Sequence, residues 1–533
     1  MGVPALVMLA VGLWGLDRGG MWRDEAVSFQ VGRRTVPQIW LLLHDVDAVH
    51  GLYYFLVHAV LCVHPGEVVL RLPSVCAAAV TAALVAALGA RLLRPRVGLW
   101  AGLLYAVAPM AGHYAQEGRS YALVAAGATG ATLLFVRAVQ GGSRAGSWAA
   151  YGAVLGLTCW LHEFAVLLLC AHAGSLVLAR VGVPPRERSR AWGRVWRGWG
   201  CAAGAVLVSL VPMVLVSRGQ AAQVAWLHRP TAATAEGLVR GFLGPSWAVC
   251  GVCLLLVLAG LAGPAGVVGR GEITLAGVAL PLTVVPPAVL MLASQASPLF
   301  VDRYVLYALS GAPLLVAAGA ERVAGTVGRP HDDGRPGSRP LPRPRTVSRS
   351  PLVTLTGVLA IALAFLHQLP VLRADRDPAA RADDLGAVSR AVARGLAPGD
   401  GVLFLPAHMR NVALTYPGPF RGARDVALAE GAAGSGTLYG RQAGARQVRR
   451  RMEGLDRVWV VADPDLLAGR RLPRDRTGRA ELAVLRRDFT GQEVVLRGGT
   501  AVRLYVRNPV KSPSAPASPP RAPLSGPPRP ARS

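Results

Sequence analysis

Eleven apolar runs fall at roughly 3–17, 68–90, 97–111, 121–138, 147–161, 163–180, 200–216, 247–264, 273–293, 304–320 and 352–370, and they occupy most of the first 370 or so residues. A helix needs about 20 mostly apolar residues to cross the hydrocarbon of a bilayer, and a backbone inside it must satisfy its own hydrogen bonds. The spacing therefore predicts an α-helical polytopic membrane protein of about eleven spans. Only 16% of the chain is charged and its mean hydropathy is +0.39, against about 25% charged residues in soluble domains.

The formal charge of +27 does not argue for a nucleic-acid partner. Nearly all the basic residues are arginine, with a single lysine at Lys511, and they gather between apolar runs. The basic loops are "RLLRPR" (91–96), "RVGVPPRERSRAWGRVWRGW" (180–199) and "ERVAGTVGRPHDDGRPGSRPLPRPRTVSRS" (321–350). Positive loops stay cytoplasmic, and all three fall on one side if "HGLYYFLVHAVLCVH" (50–64) lies in the interface as an amphipathic helix. The N-terminus is then cytoplasmic. Residues 18–67, the turns near 112–120 and 294–303, the loop 217–246 and everything after about 371 are extracytoplasmic. The seven cysteines all lie in apolar segments, which suits small core residues and not a disulfide framework.

Residues 1–370 form the membrane domain in this reading, and 371–508 change character. "DGVLFLPA", "DRVWVVAD" and "AVRLYVRN" read as short buried strands, alternating with helical stretches such as "ARADDLGAVSRAVARGLAPGD". A small extracytoplasmic α/β domain is expected there. The Pro/Ser-rich tail 509–533 is expected to be disordered.

The outer ends of the spans carry an unusual set of ionisable residues. They include Asp24, Glu25 and His50 in the first loop, and "GHYAQEGRSY" with His113, Glu117, Arg119 and Tyr121. "WLHEF" adds His162 and Glu163, and "SQASPLFVDRYVLY" adds Asp302, Arg303 and Tyr304. Any one of these suits an interfacial anchor. The adjacent acids Asp24 and Glu25 beside a membrane entry are harder to explain that way, because they cost energy unless solvated or paired. Neighbours on a helix do not share a face, so one acid would face a cavity and the other would pair with Arg23 or a loop arginine.

The Asp-Glu pair, the "HGLYYFLVHAV" segment with "EVVLRLPSV" after it, "AQEGRSYAL" and "DRYVLYALSGAPLLV" together resemble the polytopic GT-C glycosyltransferases. The branch is that of the protein O-mannosyltransferases and lipid A aminoarabinose transferases, and the likeness runs through roughly the first 320 residues. The resemblance implies transfer of a sugar from a polyprenyl-phosphate donor, mannose by family weight, to a protein, lipid or glycan acceptor at the outer membrane face. It assigns Asp24 as the general base of an inverting transfer, with Glu25 and Glu117 beside it as catalytic-site acids. Arg303 and His50 match donor-phosphate positions, although Gly51-Leu52 replaces the usual Pro-Pro after His50. His113, Arg119, Tyr121 and Tyr304 fall to sugar or acceptor binding. No cofactor is implied. His50, His113, His162 and Glu163 are the candidates for a divalent metal, and they show no ligand spacing within one element.

Two other classes compete. A transporter or flippase would place charges near the bilayer midplane and in repeated halves, whereas these spans are clean in the middle. A non-catalytic scaffold presenting the α/β domain would leave Asp24, Glu117 and Arg303 without a role.

Overall fold

The computed structural model describes residues 1–181, 190–220, 223, 226–262, 272–327, 350–378 and 383–509. The Pro/Ser-rich tail from Val510 onward and parts of the two long basic loops lie outside the described residues.

Every apolar run is helical. In chain order the helices are α1 (Gly2–Leu13), α2 (Arg23–Gly32), α3 (Val36–Asp45), α4 (Gly51–Leu61), α5 (Glu67–Leu92), α6 (Pro95–Val107), α7 (Pro109–Ala115), α8 (Tyr121–Gln140) and α9 (Ala145–Leu161). They continue with α10 (Leu168–Val181), α11 (Arg190–Gly219), α12 (Ala232–Leu243), α13 (Trp247–Leu261), α14 (Leu275–Ala296), α15 (Gly311–Val327) and α16 (Ser350–Asp375). Among the described residues seven helices are long and apolar enough to cross a membrane, or eight if α12 and α13, bent by 80°, make one span. The other three expected spans are shorter helices, of 12 residues in α1, 13 in α6 and 17 in α9. The chain is a multi-pass membrane protein. The segment 50–64 forms α4, whose 11 residues are too few to cross.

Close helix packing comes from small residues, as it does where lipid removes any solvent-driven attraction between helices. A Cβ on Gly98 of α6 would collide with the Ala86 carbonyl of α5, and one on Gly319 of α15 would collide with Leu256 of α13. At the end of the bundle away from the C-terminal domain, Glu321 pairs with Arg94 at 2.6 Å and also with Arg96.

The C-terminal part builds a five-stranded sheet from β1 (Gly401–Leu405), β2 (Arg424–Asp425), β5 (Arg457–Ala462), β6 (Phe489–Arg497) and β7 (Thr500–Arg507), in the order β2-β1-β5-β7-β6. β3 (Leu428–Glu430) and β4 (Arg441–Gln442) form a separate hairpin. β1 is parallel to both its neighbours, whereas β7 is antiparallel to β5 and β6. The strand period of two divides β1 cleanly. Val402 and Phe404 join the core that runs on into the helix bundle, while Leu403 and Leu405 join a second core with Val458, Val460 and Leu485. The helices α17 (Leu385–Ala393) and α18 (Asn411–Thr415) supply Leu385, Val388 and Val412 to the first of these cores. The sheet is thus packed onto the membrane domain and does not hang from a linker.

Candidate active site

α2 begins where the chain leaves α1. Its first turn carries Asp24 and Glu25, where acids meet the unpaired N–H groups of a helix start. The two side chains diverge. Glu25 is 1% exposed and accepts from Arg71 Nε and a terminal nitrogen, both at 2.8 Å, and from the Gly118 amide at 2.8 Å. Arg71 also donates to the Leu16 carbonyl. Glu25, expected among the catalytic-site acids, is the partner of a buried arginine that ties α2, α5 and the 116–120 loop together, and it also lines the cavity at this end of the bundle. Asp24 keeps a third of its side chain exposed and lies 3.4 Å from Arg303, 279 residues away in sequence.

Arg303 opens the 3₁₀ segment Asp302–Ser310. Its Nε donates to the Tyr121 hydroxyl at 3.1 Å, and the guanidinium lies against the rings of Trp22, Tyr121 and Tyr304 at 5.7–5.8 Å, a cation–π setting. Arg119 also lies against Tyr121, 5.8 Å from that ring. It donates to the Asp24 carbonyl (3.3 Å), to Ser28 Oγ (3.1 Å) and to His50 Nε2 (3.0 Å). His50 therefore stands behind Arg119 as an acceptor. Burial, with Arg119, His162 and Arg303 nearby, drives its titration well below the ordinary value and keeps the ring neutral. Burial, with Arg119 and Arg303 nearby, depresses His162 to about 3.

His113 bridges two carboxylates, Asp375 at the end of α16 (2.6 Å) and Glu117 (3.3 Å). Burial opposes charge on the ring, yet the two acids raise it to about 10. The structure brings Asp24, Glu117, His113, Arg119, Tyr121, Arg303 and Tyr304 to one end of the bundle. A cavity of about 450 Å³ there is lined by Trp22, Tyr114, Glu117, Arg303, Asp375 and Asp383. A second, mostly apolar cavity of about 630 Å³ shares His113, Tyr114 and Asp375 with it and runs between α7, α12 and α16. Around the Asp24–Arg303 pair, Trp22 Nε1, His50 Nδ1, Arg119 Nε, Ser120 Oγ and Glu117 Oε2 are buried and have no partner among the described residues. Buried polar groups are normally paired, so this set is one that a polyhydroxylated or anionic ligand can satisfy.

The expected metal candidates do not converge. Among the described residues no three His, Cys, Asp or Glu side chains gather as ligands. His50 and His162 are neighbours, with ring centroids 6.0 Å apart, while His113 is engaged elsewhere.

Sequence reading missed Arg71, Asp47, Trp22, Asp375 and Asp383. Arg71 had a signal, because an arginine within an apolar span asks for a partner. Asp47 holds a left-handed φ of 57° and accepts from the Tyr54 hydroxyl at 2.7 Å, and burial raises its titration. Nothing in its local sequence announces that role.

The family model for dolichyl-phosphate-mannose-protein mannosyltransferase matches residues 51–192. ArnT from Cupriavidus metallidurans superposes in its apo state with a TM-score of 0.56 at 15% identity, covering 94% of this chain and 97% of that one. The same protein bound to undecaprenyl phosphate superposes with a TM-score of 0.54 at 14% identity and the same coverage. No curated protein has a matching sequence. The resemblance read from the loops and late span is thus borne out at the level of the fold: the chain has the GT-C fold, and residues 51–192 match the mannosyltransferase family model.

Proposed function

We propose that the chain transfers a sugar, mannose by family weight, from a polyprenyl-phosphate donor to an acceptor at the extracytoplasmic face of the membrane. The observation that carries this reading is the Asp24–Arg303 pair at 3.4 Å beside a cavity to which Arg303, Glu117 and Asp375 contribute, in a fold shared with ArnT, which has been crystallised with undecaprenyl phosphate. Residues 91–96, 180–199 and 321–350 supply the arginines that set this face outside under the positive-inside rule.

The chemistry follows from the donor. A sugar phosphoester has a good leaving group, so the reaction asks for a base and for positive charge on the departing phosphate, and no cofactor. Arg303 is always charged and donates in a fork that matches phosphate. A phosphate arriving at Arg303 competes with Asp24 for the guanidinium and so releases the carboxylate. Asp24 then takes the proton from the acceptor hydroxyl. The hydroxyl oxygen forms its bond to the anomeric carbon as the bond from that carbon to the phosphate oxygen breaks, with inversion, and polyprenyl phosphate leaves. In this reading Glu117 Oε2, Trp22 Nε1 and Arg119 Nε, unpaired among the described residues, bind sugar hydroxyls. Glu25 and Arg71 hold the helix that presents the base.

The test uses purified protein in lipid nanodiscs with a panel of polyprenyl-phosphate sugars, and reads sugar released to water or transferred to membrane extract. Turnover of one donor that is lost in Asp24→Asn supports the reading and names the sugar. A wild type that turns over none of them overturns it.

A further inference from the structure

The segment between α1 and α2 is held by a distant part of the chain. The Met21 amide donates to the Tyr416 hydroxyl at 2.8 Å, and the Met21 carbonyl accepts from the Leu385 amide at 3.1 Å. The Arg23 amide donates to Asp383 at 3.2 Å, and the Arg23 carbonyl accepts from Asn411 Nδ2 at 3.1 Å. Both polar backbone groups of both residues are therefore bonded to residues 383–416. Between them Trp22 is extended, with φ −83° and ψ 171°, and its ring lies 5.7 Å from the Arg303 guanidinium. The next residue is Asp24.

Three further features make this a fitted joint. A Cβ on Gly20 would lie 2.7 Å from the Gly386 amide nitrogen, so the two backbones approach as only glycine permits. The Tyr416 hydroxyl, while accepting from Met21, donates to Glu67 at the start of α5. At the far end of α2, Arg34 is 5% exposed and donates to the carbonyls of Thr437 (2.9 Å) and Leu438 (3.4 Å). The helix that carries Asp24, Glu25 and Ser28 is thus held at both ends by the α/β domain.

We infer that the C-terminal α/β domain is a positioning element of the active site, which sets Asp24 and Trp22 against Arg303 by gripping Met21 and Arg23 through Tyr416, Leu385, Asp383 and Asn411. The inference deepens the transferase reading and rests on it for the identity of the reaction. Asn411 and Tyr416 line neither cavity described above; they act through the segment they bind. A misplacement of about 1 Å in a reacting group costs on the order of 10²-fold in rate, so a slackened grip is expected to lower kcat and to leave donor KM little changed.

The experiment compares full-length wild type, Tyr416→Phe, Asn411→Ala and a distant control on the same domain, Arg450→Ala, in nanodiscs. Hydrogen-exchange mass spectrometry reads peptides covering residues 16–27, and sugar transfer is measured beside it. Tyr416→Phe keeps the ring and removes the acceptor for the Met21 amide together with the donor to Glu67, while Asn411→Ala loosens the same segment without touching Glu67. The expected result is faster exchange over 16–27 in Tyr416→Phe and Asn411→Ala, unchanged exchange over α8 and α14, and kcat lower by about 10- to 100-fold. Arg450→Ala should match wild type in both. Unchanged exchange over 16–27 overturns the inference whatever the activity, and faster exchange with undiminished kcat also overturns it. The exchange arm reads the joint directly, so a wild type inert towards every donor sinks the transferase reading alone.

Discussion

Asp24 and Glu25 show how two adjacent acids acquire different jobs. Their side chains leave the helix in different directions, Glu25 to the buried Arg71 and Asp24 to Arg303. Asp24→Asn keeps size and hydrogen bonding and removes the base, so transfer should fall by about 10²–10⁴-fold in the nanodisc assay, with the fold intact by thermal unfolding. Arg71→Met should behave in the opposite way. It leaves Glu25 charged and buried without its partner, which costs about 3–5 kcal/mol, seen as a lower Tm and poor yield. The double variant with Glu25→Met should recover much of that loss; if it is as unstable as the single one, the pair is not what matters there. At this scale the sequence was readable where a charge stood at the end of an apolar run, as Asp24, Glu117, Arg119 and Arg303 do. It was silent on Asp47 and Asp375, because what defines them is the partner that arrives from elsewhere in the chain.

Individual elements carry their own tests. His113 ties α7 to the end of α16 through Asp375 and reaches Glu117 on its other side. Its titration is raised from the ordinary 6.5 to about 10, so the stability it contributes is full below 6.5 and is lost as pH rises through about 10. The ring keeps 45% of its side chain exposed, and solvent screens part of the effect. Tm should therefore fall between pH 7 and 10 in wild type more steeply than in His113→Gln, and parallel curves would refute the link. In the α/β domain, Glu481 on the helix Arg476–Asp488 is fully buried, and neither carboxyl oxygen has a partner among the described residues. Burial raises its titration from 4.5 to about 8. An acid kept neutral by the fold loses stability as pH rises from 4.5 to about 8, which amounts to about 3 kcal/mol at neutral pH. Glu481→Met should raise the domain's Tm at pH 7.5 and flatten its pH dependence over that window.

At the scale of the whole molecule, the question is what the α/β domain is for. If it only chose acceptors, removing residues 383–533 would change which acceptor is used and leave hydrolysis of the donor by water intact. As the clamp on Met21 and Arg23, its removal should abolish both reactions, which a sugar-release assay without acceptor distinguishes. Gly20→Ala should reproduce a milder form of the same loss in the full chain, because the methyl group would push apart two backbones that meet at Gly20 and Gly386.

The apolar runs alone established the helices, and the short, almost continuously apolar segments "GVLFL" and "RVWVVA" established buried strands, because both signals are local. The runs fixed the helices better than the spans. α1, α6 and α9 are helical yet short, since helix length depends on where neighbours and loops terminate it. The placement of charges at the ends of runs pointed to Asp24 and Arg303 for a similar reason: a charge is expensive inside a bilayer, and its position along a span is visible in sequence. What tertiary structure decided is partnership. Glu25 found Arg71, His113 found Asp375, and the segment before Asp24 found a domain that begins some 360 residues later. No periodicity encodes such pairs, because each is set by how packed helices and a docked sheet bring distant backbone together, and hydrogen bonds then form wherever burial leaves a donor facing an acceptor.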